Sequence, residues 1–273
     1  GTMPPPSSTT ASAGCGMSQG VPAGAGMDNA VVPNAILTFP NGYDGSNPVP
    51  IIFAFHGAGR TADQMRNVDS RTPGTQLEAN YMMAFVDSAG TAWDLTTDYP
   101  RFQTVRDQIL AKTCVDTAHL FATGHSSGAQ FIAQMLGDNR TRESKLGAIA
   151  PVSSSNYNNP SWSPVPTLLI HGTMDQMRMN DLNGSQDIMQ YAKSNQCSTN
   201  TQPVDIGTCM SIANKAVVNP GCVQYQGCAV TTLFCNHNDP NYIDNNGVAT
   251  NHGWPCFAND EIFRFFEAVR QGS

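Results

Sequence analysis

A strand pattern, a tight turn and a helix pattern follow one another at residues 119–136, and this order constrains the fold more than any other feature of the chain. The turn is Gly124-His-Ser-Ser-Gly128, between the strand-like His119–Ala122 and the helix-like Ala129–Leu136. Glycines at its two ends allow strand and helix to approach closely, and the strained central serine projects its hydroxyl clear of the sheet. The pattern predicts a nucleophile elbow at Ser126. The alternative is a chance turn, because the bare G-x-S-x-G pattern is short and the chain is rich in Gly and Ser.

Short apolar segments alternate with helix patterns along the chain, which is typical of an α/β fold with a mostly parallel sheet and helices on both faces. The candidate strands are Ile36–Phe39, Ile51–Phe55, Met82–Val86, His119–Ala122, Ala148–Val152, Thr167–Ile170 and Val230–Phe234. A capping box at Thr61 to Gln64 opens one helix. The last helix begins near its predicted cap, Asn259. Its apolar stripe is the clearest in the chain and consists of Ile262, Phe265, Phe266 and Val269.

The length of 273 residues favours one large core, or one core with an insertion. Residues 1–14 are predicted to be a cloning remnant, Gly1 to Met3, followed by a Pro/Ser/Thr linker. Residues 15–273 are predicted to form a single catalytic domain. Within it, the segment of about 176–251 is rich in Asn, Gly, Pro and Cys and shows one helix pattern, Gln186–Asn195. We therefore expect a Cys-rich insertion held by disulfides.

The eight cysteines indicate a disulfide-bonded protein from an oxidising compartment, so that the predicted location is extracellular. They stand at positions 15, 114, 197, 209, 222, 228, 235 and 256. The number of possible connectivities leaves the pairing open. A zinc site formed by Cys222, Cys228, Cys235 and His237 is the alternative. It is less favoured because these residues lack the close C-x-x-C spacing of compact zinc motifs.

The charge distribution argues against two classes of partner. Charged residues make up 13% of the chain, the net charge is -7, and no stretch concentrates Lys or Arg. Binding to a phosphate backbone or to anionic lipid needs such a concentration. The apolar runs, for example Ile51–Phe55, are far shorter than the ~20 residues of a membrane span. We expect a protein without nucleic acid or membrane partners, and a monomer.

A serine at an elbow needs a base, an acid that orients the base, and donors for an oxyanion. For the acid, Pro166–Asp175 reads as a buried strand that ends in a turn, which leaves Asp175 at the carboxyl edge of the sheet where α/β sites gather. Its rivals are Asp181, Asp187 and Asp205, whose alternative role is that of solvated loop acids.

Position narrows the candidates for the base. His119 and His171 lie at strand ends and His125 lies inside the elbow, so each is expected to be structural. Of the remaining two downstream histidines, His252 is favoured because Asn251-His-Gly-Trp-Pro255 is a turn just before the final helix. The rival, His237, lies among cysteines and polar residues and is expected either on the surface or in a structural role within the insertion.

The loop after the second candidate strand supplies the expected oxyanion donors. The segment His56-Gly-Ala-Gly59 carries small residues and leaves its backbone N–H groups available. The expected pair is the amides of Ala58 and Ser127. The same loop lacks the G-x-G-x-x-G spacing of a dinucleotide site, and no cofactor is predicted.

Several segments together resemble the secreted esterases of carbohydrate esterase family 1, which includes feruloyl esterases, acetylxylan esterases and relatives of polyhydroxybutyrate depolymerases. They are Phe55–Gly59, Gly90–Asp94, Cys114–Gly128, His171–Asp175, Cys222–Cys228 and His252–Pro255. The resemblance implies an α/β-hydrolase fold with Ser126, Asp175 and His252 as the triad and Ala58 with Ser127 as the oxyanion hole. It also implies that Trp93 is an aromatic platform for the substrate, for which the alternative is core packing.

The predicted reaction is therefore the hydrolysis of an ester through an acyl-enzyme, without a metal or an organic cofactor. By the resemblance, the leading substrates are feruloyl esters of plant cell-wall polysaccharide. The alternatives are a polyester depolymerase, an acetylxylan esterase, and a wall-binding module on a hydrolase scaffold that has lost its activity.

Overall fold

The computed structural model describes residues 10–17, 32–138, 140–154, 162–175, 184–243 and 247–272. The strands in these ranges are β1 Ala35–Thr38, β2 Val49–Phe55, β3 Met82–Val86, β4 Val115–His125, β5 Leu146–Val152, β6 Thr167–Gly172, β7 Thr201–Val204, β8 Cys209–Met210, β9 Val217–Val218, β10 Gly221–Tyr225, β11 Thr232–His237, β12 Tyr242–Ile243 and β13 Ala249–Thr250. The helices in the same ranges are α1 Ala62–Gln64, α2 Gln76–Asn80, α3 Leu95–Lys112, α4 Ser127–Gly137, α5 Arg140–Glu143, α6 Ser185–Ser194 and α7 Ala258–Gln271, with a π-helical turn at Met65–Asp69 after α1.

Among the described residues, nine strands form one sheet in the order β1-β3-β2-β4-β5-β6-β11-β10-β7. The six central strands, from β3 to β11, run parallel to one another. The strands β1, β10 and β7 pair antiparallel at the two edges. The predicted α/β-hydrolase class, with a mostly parallel sheet, is confirmed.

Helices cover both faces of this sheet, because its central strands are apolar on both sides. On one face, the buried side chains of α3, α4 and α6 pack against the sheet, among them Phe102, Phe131 and Tyr191. On the other, α1, α2 and α7 contribute Ala62, Leu77 and Phe266. The two layers hold the carboxyl ends of β4 and β6 in fixed positions.

The last helix keeps the predicted stripe but not the predicted cap. It begins at Ala258 after Phe257, one residue before Asn259. The Asn259 side chain instead accepts a hydrogen bond from the Trp254 indole and donates one to the carbonyl oxygen of Ser70. Asn259 therefore joins the turn before α7 to the loop that follows the π-helical turn.

The predicted Cys-rich insertion adds strands to the sheet as well as loops. Strands β7, β10 and β11 lie in this segment, and β11 pairs in parallel with β6. Its helix, α6, agrees with the predicted one to within a residue at each end. Two small two-stranded sheets, β8 with β9 and β12 with β13, complete the described part of the segment.

All eight cysteines lie in described residues and form disulfides. The pairs are Cys15–Cys114, Cys197–Cys228, Cys209–Cys256 and Cys222–Cys235. All three thiols considered for a zinc site are thus engaged in disulfides, Cys222 with Cys235 and Cys228 with Cys197. The prediction of disulfides is confirmed.

The described end of the predicted linker packs against the domain. Ala11 pairs with Asp116 in an isolated β-bridge, and the Ser12 hydroxyl donates a 2.6 Å hydrogen bond to the carbonyl oxygen of Thr113. The described part of the predicted linker thus contacts the residues at the start of β4. Within the described residues, no helix has both the length and the apolar character that crossing a membrane requires.

Candidate active site

Ser126 lies at the sharp turn between β4 and α4. Its φ of 53° and ψ of -113° are strained for a residue with a side chain. The turn needs glycine on both sides. A Cβ on Gly124 would lie 2.8 Å from the carbonyl carbon of Gly128, and one on Gly128 would clash with the carbonyl oxygen of Phe55. The elbow predicted from the sequence has the geometry that its glycines indicated.

The structure brings Ser126, His252 and Asp175 together in one chain of contacts. His252 Nε2 lies 2.8 Å from Ser126 Oγ, and His252 Nδ1 lies 2.7 Å from Asp175 Oδ2. His252 and Asp175 are buried, whereas Ser126 is partly exposed. With the acid on Nδ1, the neutral ring carries its proton there and leaves Nε2 as the acceptor for the hydroxyl.

Asp175 reaches this position because β6 ends at Gly172 and the chain then turns at the carboxyl edge of the sheet. His171, the last residue but one of β6, places Nε2 3.5 Å from the same Oδ2 atom of Asp175. The two side chains are fully buried. Asp175 thus lies between two imidazole rings, a contact that the sequence analysis did not predict.

The rival acids lie elsewhere or outside the described residues. Asp187 is buried on α6, and Asp205 is an exposed residue whose carboxylate accepts a hydrogen bond from the Gly207 amide. Asp181 lies outside the described residues.

Asn251 joins the turn that carries Asp175 to the loop that carries His252. Its Oδ1 accepts a hydrogen bond from the Met174 amide at 3.2 Å. Its Nδ2 lies 3.3 Å from Thr173 Oγ1 and 3.4 Å from the carbonyl oxygen of His237. Its own carbonyl oxygen lies so close to Gly172 that a Cβ there would clash. The sequence offered one signal for this role, the position of Asn251 next to the predicted base.

His252 is also held from its other side. The Tyr242 ring packs edge-on against the imidazole, with 5.3 Å between ring centroids. The carbonyl oxygen of His252 lies 2.8 Å from Nε2 of His125, which is buried as a structural ring in the elbow, as expected.

His237, the rival base, is 1% exposed. The expected surface position is therefore wrong, because β11 joins the sheet and carries His237 into the interior. Burial, with a contribution from His171, lowers the pKa of His237 to about 3, while Asp175 acts in the opposite direction. His237 is thus a neutral, buried ring close enough to Asp175 to be affected by its charge.

Ala58, one predicted oxyanion donor, lies in the loop after β2, and Ser127, the other, is the first residue of α4, directly after Ser126. The loop that carries Ala58 is held by His56. Because His56 Nε2 accepts a hydrogen bond from the Ser88 amide at 3.1 Å, the ring proton lies on Nδ1. Nδ1 donates it to the carbonyl oxygen of Gly57 at 2.8 Å.

Trp93 is 7% exposed and packs in the core. Its ring stacks on Phe131 at a centroid distance of 4.8 Å and meets Phe55 edge-on at 5.1 Å. The predicted platform for a substrate requires an accessible ring face, which this packing restricts. Core packing, the alternative stated from the sequence, describes its surroundings.

Comparison with models of known protein families finds no matching family. Among curated proteins, the chain is similar to feruloyl esterase C of Emericella nidulans, with 29% identity over 179 residues that make up 63% of this chain and 64% of that protein. It is 26% identical to the probable feruloyl esterase C of Aspergillus terreus, over 84% of this chain and 82% of that protein. Among solved structures, the acetyl xylan esterase from Aspergillus awamori matches with a TM-score of 0.55 at 15% identity, over 90% of this chain and 99% of that chain.

These similarities confirm the resemblance to feruloyl esterases that the sequence indicated. The structural similarity confirms the fold. The match to the first of the curated relatives spans just under two thirds of that protein, 64%.

Proposed function

We propose that this protein is an extracellular serine esterase that hydrolyses feruloyl and related hydroxycinnamoyl esters of plant cell-wall polysaccharide. The observation that carries the proposal is the chain of contacts from Ser126 through His252 to Asp175, at 2.8 Å and 2.7 Å. The similarity to feruloyl esterases supports the substrate class. The disulfides support an oxidising compartment.

In the proposed reaction, His252 Nε2 takes the proton of the Ser126 hydroxyl while Oγ attacks the ester carbonyl carbon. The amides of Ala58 and Ser127 donate hydrogen bonds to the oxyanion of the tetrahedral intermediate. Asp175 stabilises the imidazolium, which then gives its proton to the departing alkoxide. The acyl group stays on Ser126 as an ester. Water, deprotonated by the same imidazole, attacks this ester and releases the carboxylic acid.

Burial supports the assignment of Asp175 as the acid. A buried carboxylate next to a neutral ring keeps the ring in one orientation, and it stabilises the imidazolium more strongly than it would in water. Asn251 binds the amide of Met174, the residue before Asp175, and His171 lies against the carboxylate itself, so the acid is ordered before a substrate binds.

The test uses a fluorophosphonate probe and methyl ferulate. The wild-type protein should be labelled at Ser126 and should release ferulate. Ser126→Ala should abolish labelling and lower kcat by about 10⁴ to 10⁶, the range for loss of a triad serine. Ser46→Ala, at an exposed serine remote in sequence, is the matched control and should behave as wild type.

The substrate is tested by parallel assays on methyl ferulate, acetylated xylan and polyhydroxybutyrate film. Faster release of acetate or of hydroxybutyrate, with little action on methyl ferulate, would replace the proposed substrate with that of an acetylxylan esterase or a polyester depolymerase. A folded protein that neither labels nor hydrolyses any of the three would be a binding module.

A further inference from the structure

A cavity of about 220 Å³ is lined by neighbours of the proposed catalytic residues. Tyr242, whose ring packs against His252, and Gly253, which directly follows His252, both line it. His125, next to Ser126, and Arg60, two residues after Ala58, line it as well. We call this cavity the arginine pocket. Its walls belong to the same loops as the proposed base and oxyanion donor.

The pocket carries an excess of positive charge in a chain whose net charge is -7. Arg60 and Arg71 line it together with a single acidic residue, Asp69. The Arg60 Nε atom lies 3.6 Å from Asp69 Oδ1. Burial raises the pKa of Asp69, and the positive charges of Arg60 and Arg71 oppose this shift. The lining thus contains two guanidinium groups and one carboxylate. One positive charge remains that an anionic ligand could neutralise.

Buried polar atoms in the pocket lack hydrogen-bond partners among the described residues. They are Oδ2 of Asp69 and both side-chain polar atoms of Asn241. A buried polar atom without a partner is unfavourable, so an occupant that both donates and accepts hydrogen bonds stabilises this arrangement. Hydroxyl groups do both. Trp254 and Tyr242 add aromatic surface to the lining.

We propose that the arginine pocket binds one hexuronic acid unit of the polysaccharide, with the sugar carboxylate at Arg60 and Arg71 and the sugar hydroxyls at Asn241 and Asp69. This proposal rests on the proposed esterase function and extends it to the alcohol half of the substrate. Arginine pairs with carboxylates through two parallel hydrogen bonds, a geometry that a neutral sugar does not offer.

The position and the size of the pocket agree with this occupant. The imidazolium of His252 must protonate the departing alkoxide, so the alcohol half of the ester leaves beside His252. The pocket is lined by Tyr242, which packs against His252, and by Gly253, which follows it. Sites for drug-sized ligands measure about 300–1,000 Å³, so the smaller volume here fits a single sugar ring.

The experiment measures binding and turnover separately. Binding of galacturonate and of galactose to the Ser126→Ala protein is followed by tryptophan fluorescence, for which Trp254 in the pocket is the reporter. Turnover is compared between a ferulate ester of methyl galactoside and the corresponding ester of methyl galacturonide. We expect galacturonate to bind at least tenfold more tightly than galactose, and the acidic ester to have the higher kcat/KM by a similar factor.

Arg60→Gln and Arg71→Gln should each reduce both preferences. Arg264→Gln is the matched control, since that exposed side chain pairs with Glu261 on α7 and does not line the pocket; it should leave both preferences intact. Equal binding of the two sugars, or a preference that survives both substitutions, would overturn the proposal. Failure of the wild-type protein to hydrolyse methyl ferulate would refute the proposed function instead, and the binding measurement would still decide the occupant of the pocket.

Discussion

The indole N–H of Trp93 donates a 2.8 Å hydrogen bond to the carbonyl oxygen of His56, two residues before Ala58. The backbone N–H of Trp93 donates another, at 3.1 Å, to the side-chain oxygen of Ser127. Trp93 therefore contacts both segments that carry the proposed oxyanion donors. This position favours a structural role for Trp93, in which it fixes the distance between the two amides, over direct contact of its ring with the substrate.

Trp93→Phe should lower kcat on methyl ferulate and on 4-nitrophenyl acetate by about the same factor. Phenylalanine retains much of the packing but removes the indole donor, and one neutral hydrogen bond contributes about 1 kcal/mol, or roughly fivefold in rate. KM should change little, because the oxyanion forms only in the transition state. A loss confined to the ferulate ester, with a raised KM, would instead favour the platform predicted from the sequence.

Asn251→Ala should lower kcat by about tenfold, since it removes the hydrogen bonds that join the turn of Asp175 to the loop of His252. The measurement is kcat per active site, with sites counted by the fluorophosphonate probe. Asn67→Ala, at an exposed asparagine bonded to Asp63, is the matched control. A variant that loses thermal stability but keeps the wild-type kcat at 25 °C would show that Asn251 stabilises the fold alone.

The parallel strands could be predicted because they are buried on both faces and therefore appear as apolar runs. The two antiparallel strands beyond β11 could not. β7, Thr201–Val204, contains Pro203 and is mostly exposed, and β10, Gly221–Tyr225, contains polar residues. β10 pairs with β11 and β7 pairs with β10, so both strands depend on a neighbouring edge, which is a tertiary effect. Pairing within the sheet also explains why His237, at the end of β11, is buried although a surface position was expected.

The residues of the candidate site could be predicted from the sequence because each stands at a strand end or in a short turn of recognisable composition. The contacts that hold these residues in place could not be predicted. Asn251 contacts Thr173, 78 residues away in sequence, and Arg60 and Asn241 line one cavity from distant loops. Local patterns carry no information about such pairs.

Removal of the Cys209–Cys256 disulfide by paired serine substitutions should lower both the free energy of unfolding and kcat. This bond closes 47 residues and anchors the turn four residues after His252. The matched control removes Cys15–Cys114, which closes 99 residues at the start of β4, the opposite end from Ser126. Each loss should cost about 3–5 kcal/mol.

Only the removal of Cys209–Cys256 should reduce the kcat of the fraction of protein that remains folded. Urea unfolding and kcat, both at 25 °C, provide the two readouts. Equal effects of the two pairs on kcat would mean that the Cys209–Cys256 bond does not position the loop of His252.

His237 should make the folded protein less stable as the pH falls from about 6.5 to about 3. Its pKa is lowered from 6.5 to about 3 by burial. In this interval the His237 ring takes up a proton in the unfolded chain but stays neutral in the folded protein. The free energy of unfolding therefore decreases by up to about 1.4 kcal/mol for each pH unit of acidification. Above pH 6.5 the ring is neutral in both states and contributes no slope.

His237→Gln removes this titration, so its free energy of unfolding should fall less steeply between pH 6 and pH 4 than that of the wild-type protein. Urea unfolding at pH 4, 5, 6 and 7 measures both slopes, and the comparison cancels the carboxylates that the two proteins share. Because glutamine alters the shape of a buried site, His237→Asn provides a second variant. Parallel slopes for the wild type and both variants would show that His237 does not take part in the acid unfolding.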